Sequence, residues 1–214
     1  MGKSVVCISR TLAAGGETIG KMVAEKLGFR YVDEEVLRLA SEKAQVDLKL
    51  VVEEEHRKSI LDRLLDSLAT RPTVDSYLPV GGEGVYYMLE AAPVVAPLHD
   101  DLRALIREAI AEIAAKGNAV IVAHAASMAL AGDPRVLRVL VTASAHTRAV
   151  RLSSIRSEKE ALDAVHESDR DRRDYLKRFY DVKEEQPTHY DIVLNTDALT
   201  PAQTVDVIVT AARL

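Results

Sequence analysis

The sequence predicts an α/β fold of three layers, a parallel sheet with helices on both faces. Three observations predict it. Short β-branched runs alternate with helix-length amphipathic stretches along the whole chain. The run AVIVA at 119–123 is apolar at every position, as a strand covered on both faces must be. Aromatic residues make up only 4% of the chain and Trp is absent, so the core must come from Val, Leu, Ile and Ala, which suits helices on a sheet.

The elements follow in order. SVVCI at 4–8 reads as a buried strand. A small-residue segment follows, and then Ile19, Met22, Val23 and Leu27 fall at helical spacing, with Gly28 placed to end the helix. FRYVD at 29–33 is a second short strand, and EEVLRLASEKA a second helix. Residues 48–70 predict a long charged amphipathic helix. Residues 71–84, with Pro72, Pro79, Gly81, Gly82 and Gly84, predict a loop. The stretch 99–117 is a strong helix, acidic near its start and closed by Gly117. Strands are expected at 119–123, 136–144 and 190–196. A basic helix begins at HTRAVRL, and a highly charged helix or helix pair covers 157–181. Thr200 caps a last helix that opens with Pro201.

The chain has 214 residues, enough for one domain with a sizeable core. Residues 44–98 are the least regular part, an excursion from that domain, and 153–185 form a charged region suited to a lid. The net charge of −5 gives no general attraction to nucleic acid or to an anionic membrane surface. The single Cys7 lies in an apolar run and reads as a small buried hydrophobe, with no disulfide framework or cysteine metal cluster open to it. No apolar stretch has the ~20 residues of a membrane span. MGKSVVCISR lacks the apolar region of a signal peptide, and Val6 stands where myristoylation wants Ser or Thr. A cytoplasmic protein is expected.

The segment at 9–21 carries the chemistry. A loop of small residues between a buried strand and a helix lets backbone N–H groups converge on an anion at the helix N-terminus. Ala13, Ala14, Gly15 and Gly16 allow the close approach, and Thr18 offers a hydroxyl to Mg²⁺ or phosphate. The pattern G-x-x-x-x-G-K-[ST] is not met. Gly16 stands where the Lys belongs, Glu17 where Ser or Thr belongs, and Arg10 where the first Gly belongs. Another cation must replace the Lys. Arg10 is preferred over Lys21, whose place on the helix can turn it away.

Several segments together resemble the cytidylate kinase-like family, nucleoside monophosphate kinase relatives with an altered phosphate loop. Ile8-Ser9-Arg10-Thr11-Leu12-Ala13-Ala14-Gly15-Gly16-Glu17-Thr18-Ile19-Gly20 followed by Ala24-Glu25-Lys26-Leu27-Gly28 is similar to its opening. Tyr31-Val32-Asp33, Val120-Ile121-Val122, Leu140 to Ser144 with Arg148, Asp169-Arg170-Asp171-Arg172 with Tyr175, and Tyr190 to Thr196 continue the match in order. Ala13 and Ala14 depart from the family's Gly-Ser in the loop. Ala123-His124 departs from its Gly-Arg after the central strand, which puts the identity of the acceptor in doubt.

The resemblance implies a P-loop kinase fold with a helical lid and an ATP donor carried with Mg²⁺. It places residues 13–18, including Glu17, at the donor phosphates and Thr18 at the metal. Arg10, Arg170, Arg172 and Asp169 become catalytic candidates. Asp33, His124, Arg148 and Asp171 become substrate-side candidates for a small phosphate acceptor such as CMP. A homodimer is left open. Bland readings stand beside these roles. Charge runs such as DRDRRD are usually solvated helix faces, Arg148 and Arg151 can form a surface pair, His124 can be an interior His, and Asp33 can cap a helix. Three functions remain in play: a small-molecule kinase, a nucleotide-binding module without turnover, and a partner-binding protein using 44–98.

Overall fold

The computed structural model describes residues 2–44, 99–122, 125–153 and 157–214. The predicted helix at 48–70, the loop at 71–84 and His124 lie outside those residues. In chain order the elements are β1 (Val5–Arg10), α1 (Gly16–Leu27), β2 (Arg30–Val32), α2 (Glu35–Ala44), α3 (His99–Ala115), β3 (Ala119–Ile121), α4 (Ala126–Ala129), β4 (Val136–Thr142), α5 (Ala145–Leu152), α6 (Glu158–Tyr180), β5 (Ile192–Asn195) and α7 (Pro201–Arg213). A 3₁₀ turn, Pro187–His189, leads into β5.

All paired strands are parallel, in the order β2-β3-β1-β4-β5. β1 lies at the centre, with Val6 between Val120 and Leu137. Side chains of a strand alternate between faces, and the two cores record this. Val6 and Ile8 pack with Ile19 and Val23 of α1 and with Val205 and Ile208 of α7. Val5 and Cys7 face the other way, among Val36 of α2, Ile106, Ile110 and Ile113 of α3, and Phe179 at the end of α6. Each fully buried Ile or Val contributes about 1.5–3 kcal/mol, so two aliphatic layers hold the sheet without a large aromatic core. Cys7 is buried as expected, and burial pushes its thiol well above the ordinary range.

The charged stretch is one helix of 23 residues. It is opened by a capping box, in which Ser157 accepts from Glu160 N–H and the Glu160 carboxylate accepts from Ser157 N–H. Its first half packs on α5 through Ala149, Ala161 and Val165, and its last turn returns to the sheet at Phe179. Thr200 caps α7 as expected, accepting from Gln203 N–H at 3.3 Å. Among the described residues no helix is long and apolar enough to cross a membrane.

Candidate functional site: a strand-to-helix loop and its ring of arginines

Parallel strands end at one edge of the sheet, and the loop from Thr11 to Gly15 lies at that edge between β1 and α1. Thr11 N–H donates to the Val141 carbonyl at 3.2 Å, and Ala14 N–H to the Thr11 carbonyl at 3.1 Å. The chain then turns through two left-handed residues, Ala13 at φ 60° and Gly15 at φ 87°. That conformation suits Gly15 and costs Ala13 about 1 kcal/mol or more. No side chain caps α1 at Gly15. The first amides of a 12-residue helix therefore lie at the positive end of its dipole without a side-chain cap.

Gly16 shows why the usual lysine is missing. A Cβ there would lie 2.6 Å from the Arg10 Cβ and 3.0 Å from its Cδ. The Arg10 side chain runs across the start of α1, at the position where the P-loop pattern has its lysine. The Arg10 guanidinium pairs with Glu17 through Nη2, while its buried Nε finds no partner among the described residues. A side chain at Gly20 is excluded too, because its Cβ would meet Val122 Cγ2 at 2.5 Å. Lys21 turns to the Tyr31 ring, 5.6 Å from its centroid, and not to the loop.

Two residues outside the sequence-predicted site hold the loop. Arg151 donates from Nη1 to the Ala13 carbonyl at 3.1 Å and to Thr196 Oγ1 at 3.0 Å, and from Nη2 to the Thr196 carbonyl at 2.8 Å. Thr196 Oγ1 in turn donates to the Ala14 carbonyl at 3.0 Å. In a trans peptide the N–H points opposite to the C=O. Anchoring the Ala14 carbonyl toward Thr196 thus aims the Gly15 N–H the other way, toward the open side of the loop.

The other sequence-predicted residues sort into engaged and exposed. Arg148 is buried and grips Asp169 with both ends of its guanidinium, at 2.8 and 2.7 Å, joining α5 to α6. The substrate-side and catalytic candidates thus meet each other. Arg172 bonds Glu185 at 2.9 and 2.6 Å and Tyr190 Oη at 3.2 Å, and its Nη1 donates to the Arg10 carbonyl at 3.2 Å. The Tyr190 hydroxyl donates to Glu185. Burial opposes the charge on Glu185, but Arg172 outweighs it and holds the carboxyl below its ordinary value. Burial also raises the Tyr190 hydroxyl to about 12; Arg172 opposes that rise and Glu185 adds to it. Arg170 and Asp171 are exposed on α6, and Thr18 is exposed on α1. Asp33 starts α2 with its carbonyl, which accepts from Val36 N–H at 3.3 Å, while its carboxylate accepts from the Tyr31 hydroxyl at 3.3 Å. Burial, with Asp33 beside it, raises that hydroxyl to about 12.

A parallel five-stranded sheet with helices on both faces and a small-residue loop from its central strand into a helix defines a protein of the P-loop kinase fold. The chain belongs to the cytidylate kinase-like family, which it matches over residues 5–198. Among solved structures it is similar to an uncharacterised protein from Eubacterium ventriosum, at 16% identity and a TM-score of 0.61 over 97% of each chain. It is also similar to a shikimate kinase from Bacteroides thetaiotaomicron, at 14% identity and a TM-score of 0.50 over 95% of each chain. No curated protein matches it in sequence.

Proposed function

We propose that the protein is an ATP-dependent phosphotransferase acting on a small phosphate acceptor, with a nucleoside monophosphate such as CMP as the first candidate. Family membership supports a nucleotide-binding phosphotransferase type. The observation that carries the reading to ATP is the Arg10 side chain, laid across Gly16 at an uncapped helix start with a buried Nε that lacks a partner among the described residues. A phosphate oxygen at the loop would meet the uncapped amides and this guanidinium together.

The residues fit a triphosphate tail. The backbone of 13–18 would hold the donor phosphates, and the Thr18 hydroxyl would hold Mg²⁺, which neutralises phosphate charge when bound. Arg10 would stabilise the transferring group. Arg151 and Thr196 would keep the loop peptides aimed. Arg170 and Asp171, exposed on α6, would meet the acceptor or close over it, with Asp33 on the acceptor side.

Thermal-shift measurements with ATP–Mg²⁺, alone and with each nucleoside monophosphate, test the reading. A shift with ATP that one monophosphate enlarges supports it and names the acceptor. A specific observation favours a second reading, a nucleotide-binding module with weak or no turnover. Glu17 occupies the Arg10 guanidinium, while Arg148, Asp169 and Arg172 are held in ion pairs. That reading predicts ATP binding without transfer in a coupled assay.

A further inference from the structure

A cavity of about 420 Å³ lies on the face of the sheet that carries α3 and α4, away from the phosphate loop. Its walls come from α3 (Arg107), α4 (Met128), β4 (Arg138), the end of α6 (Tyr180), and the 3₁₀ turn (Thr188, His189). Arg138 is the third residue of β4 and pairs with Cys7, whereas the loop leaves β1 three residues further on, after Arg10. The volume falls in the range of small-molecule pockets, about 300–1,000 Å³.

Among the described residues the lining is rich in donors and has no carboxylate. Arg138 uses Nε and Nη2 on Asp191, at 3.4 and 2.7 Å, so Nη1 is not committed to that carboxylate. Arg107 stacks over the Tyr180 ring, 5.0 Å from its centroid, and gives one Nη2 hydrogen to the Phe179 carbonyl. A guanidinium carries five donor hydrogens, so both have donors to spare. His189 accepts at Nδ1 from Gln186 N–H at 3.2 Å. Its Nδ1 is then unprotonated, and the neutral ring carries its hydrogen on Nε2. Thr188 adds a hydroxyl. Among the described residues Asp191 offsets one of the two guanidinium charges and no carboxylate is paired to the other, beside the apolar surfaces of Met128, Ala129 and Val182.

We propose that this cavity is a second ligand site, for a small organic carboxylate with an apolar body of about ring size. Its carboxylate meets Arg107, Arg138, Thr188 and His189, and its body lies on Met128 and the Tyr180 ring. A single negative charge matches the wall better than a phosphate dianion does.

Methyl-labelled methionine NMR of the full chain, with benzoate as the probe, tests this. Benzoate should move the Met128 signal in a saturable way and leave the Met22 signal of α1 in place. Thr188→Val should weaken the effect about threefold and Arg107→Lys about tenfold. Phenyl phosphate should bind more weakly than benzoate. A Met128 signal unmoved by tens of millimolar benzoate, or moved equally in both variants, would overturn the site. Tighter binding of phenyl phosphate would overturn the carboxylate assignment.

Discussion

Arg10 and Arg172 are joined by one hydrogen bond, from the guanidinium of the second to the carbonyl of the first, yet they are used in opposite ways. Arg172 has its charge met by Glu185, and Tyr190 and the Arg10 carbonyl take two more of its N–H hydrogens. Among the described residues Arg10 pairs with Glu17, whose side chain is more than half exposed, and keeps an unmatched Nε. A guanidinium held by a carboxylate, a hydroxyl and a carbonyl together fixes one element on another. One held by a single exposed carboxylate keeps donors that an anion could engage. On the proposed function, the contrast separates the arginine that builds the site from the arginine that would work in it.

The largest expected effect falls on Arg10. Arg10→Ala should lower phosphoryl transfer by about a thousandfold, the scale of an arginine that stabilises transferring phosphate, with the thermal midpoint little changed. Unaltered turnover would erase the distinction. Arg172→Ala should show the reverse signature, losing about 3 kcal/mol of stability because Glu185 is left partly buried without its cation. Chemical denaturation measures it, and a stability within error of the parent would place Arg172 with Arg10.

Smaller effects sharpen the comparison. Glu17→Gln releases the Arg10 guanidinium and should tighten ATP binding about threefold, since an exposed pair is worth only ~0.2–1 kcal/mol; calorimetry reads the change. The last prediction concerns acid. Glu185 has a folded-state pKa below its ordinary value of 4.5, so its stabilising contribution is fully present above that value and is lost as pH falls through the lowered one. Thermal midpoints should hold down to about pH 4.5 and then fall, and Arg172→Ala should flatten part of that fall.

The same contrast explains what could be read from the chain alone. The strand-to-helix loop was legible because its geometry is local: a buried strand, small residues and an amphipathic helix follow each other within about twenty positions. Among the described residues the strands and long helices were legible for the same reason, with ends shifted by a residue or two where the pairing between neighbouring strands stops, as at Ile121 and Thr142. The single turn of α4 carries too few residues for any periodicity to show. The partners in the ring of arginines are not local. Arg148 meets Asp169 across 21 positions, and Arg151 meets Ala13 across 138. Within a helix as charged as α6, nothing in the spacing marks Arg172 as bound inward and Arg170 as exposed.

The strut from Arg151 and Thr196 to the loop has a consequence for how the protein comes into being. The side chains that orient the peptides of residues 13 and 14 are synthesised 138 and 182 positions after them. A nascent chain released before Thr196 has emerged would carry an incomplete cradle. On the proposed function, such a shortened product, even one long enough to collapse, would lack the struts that aim the loop amides and would bind nucleotide more weakly.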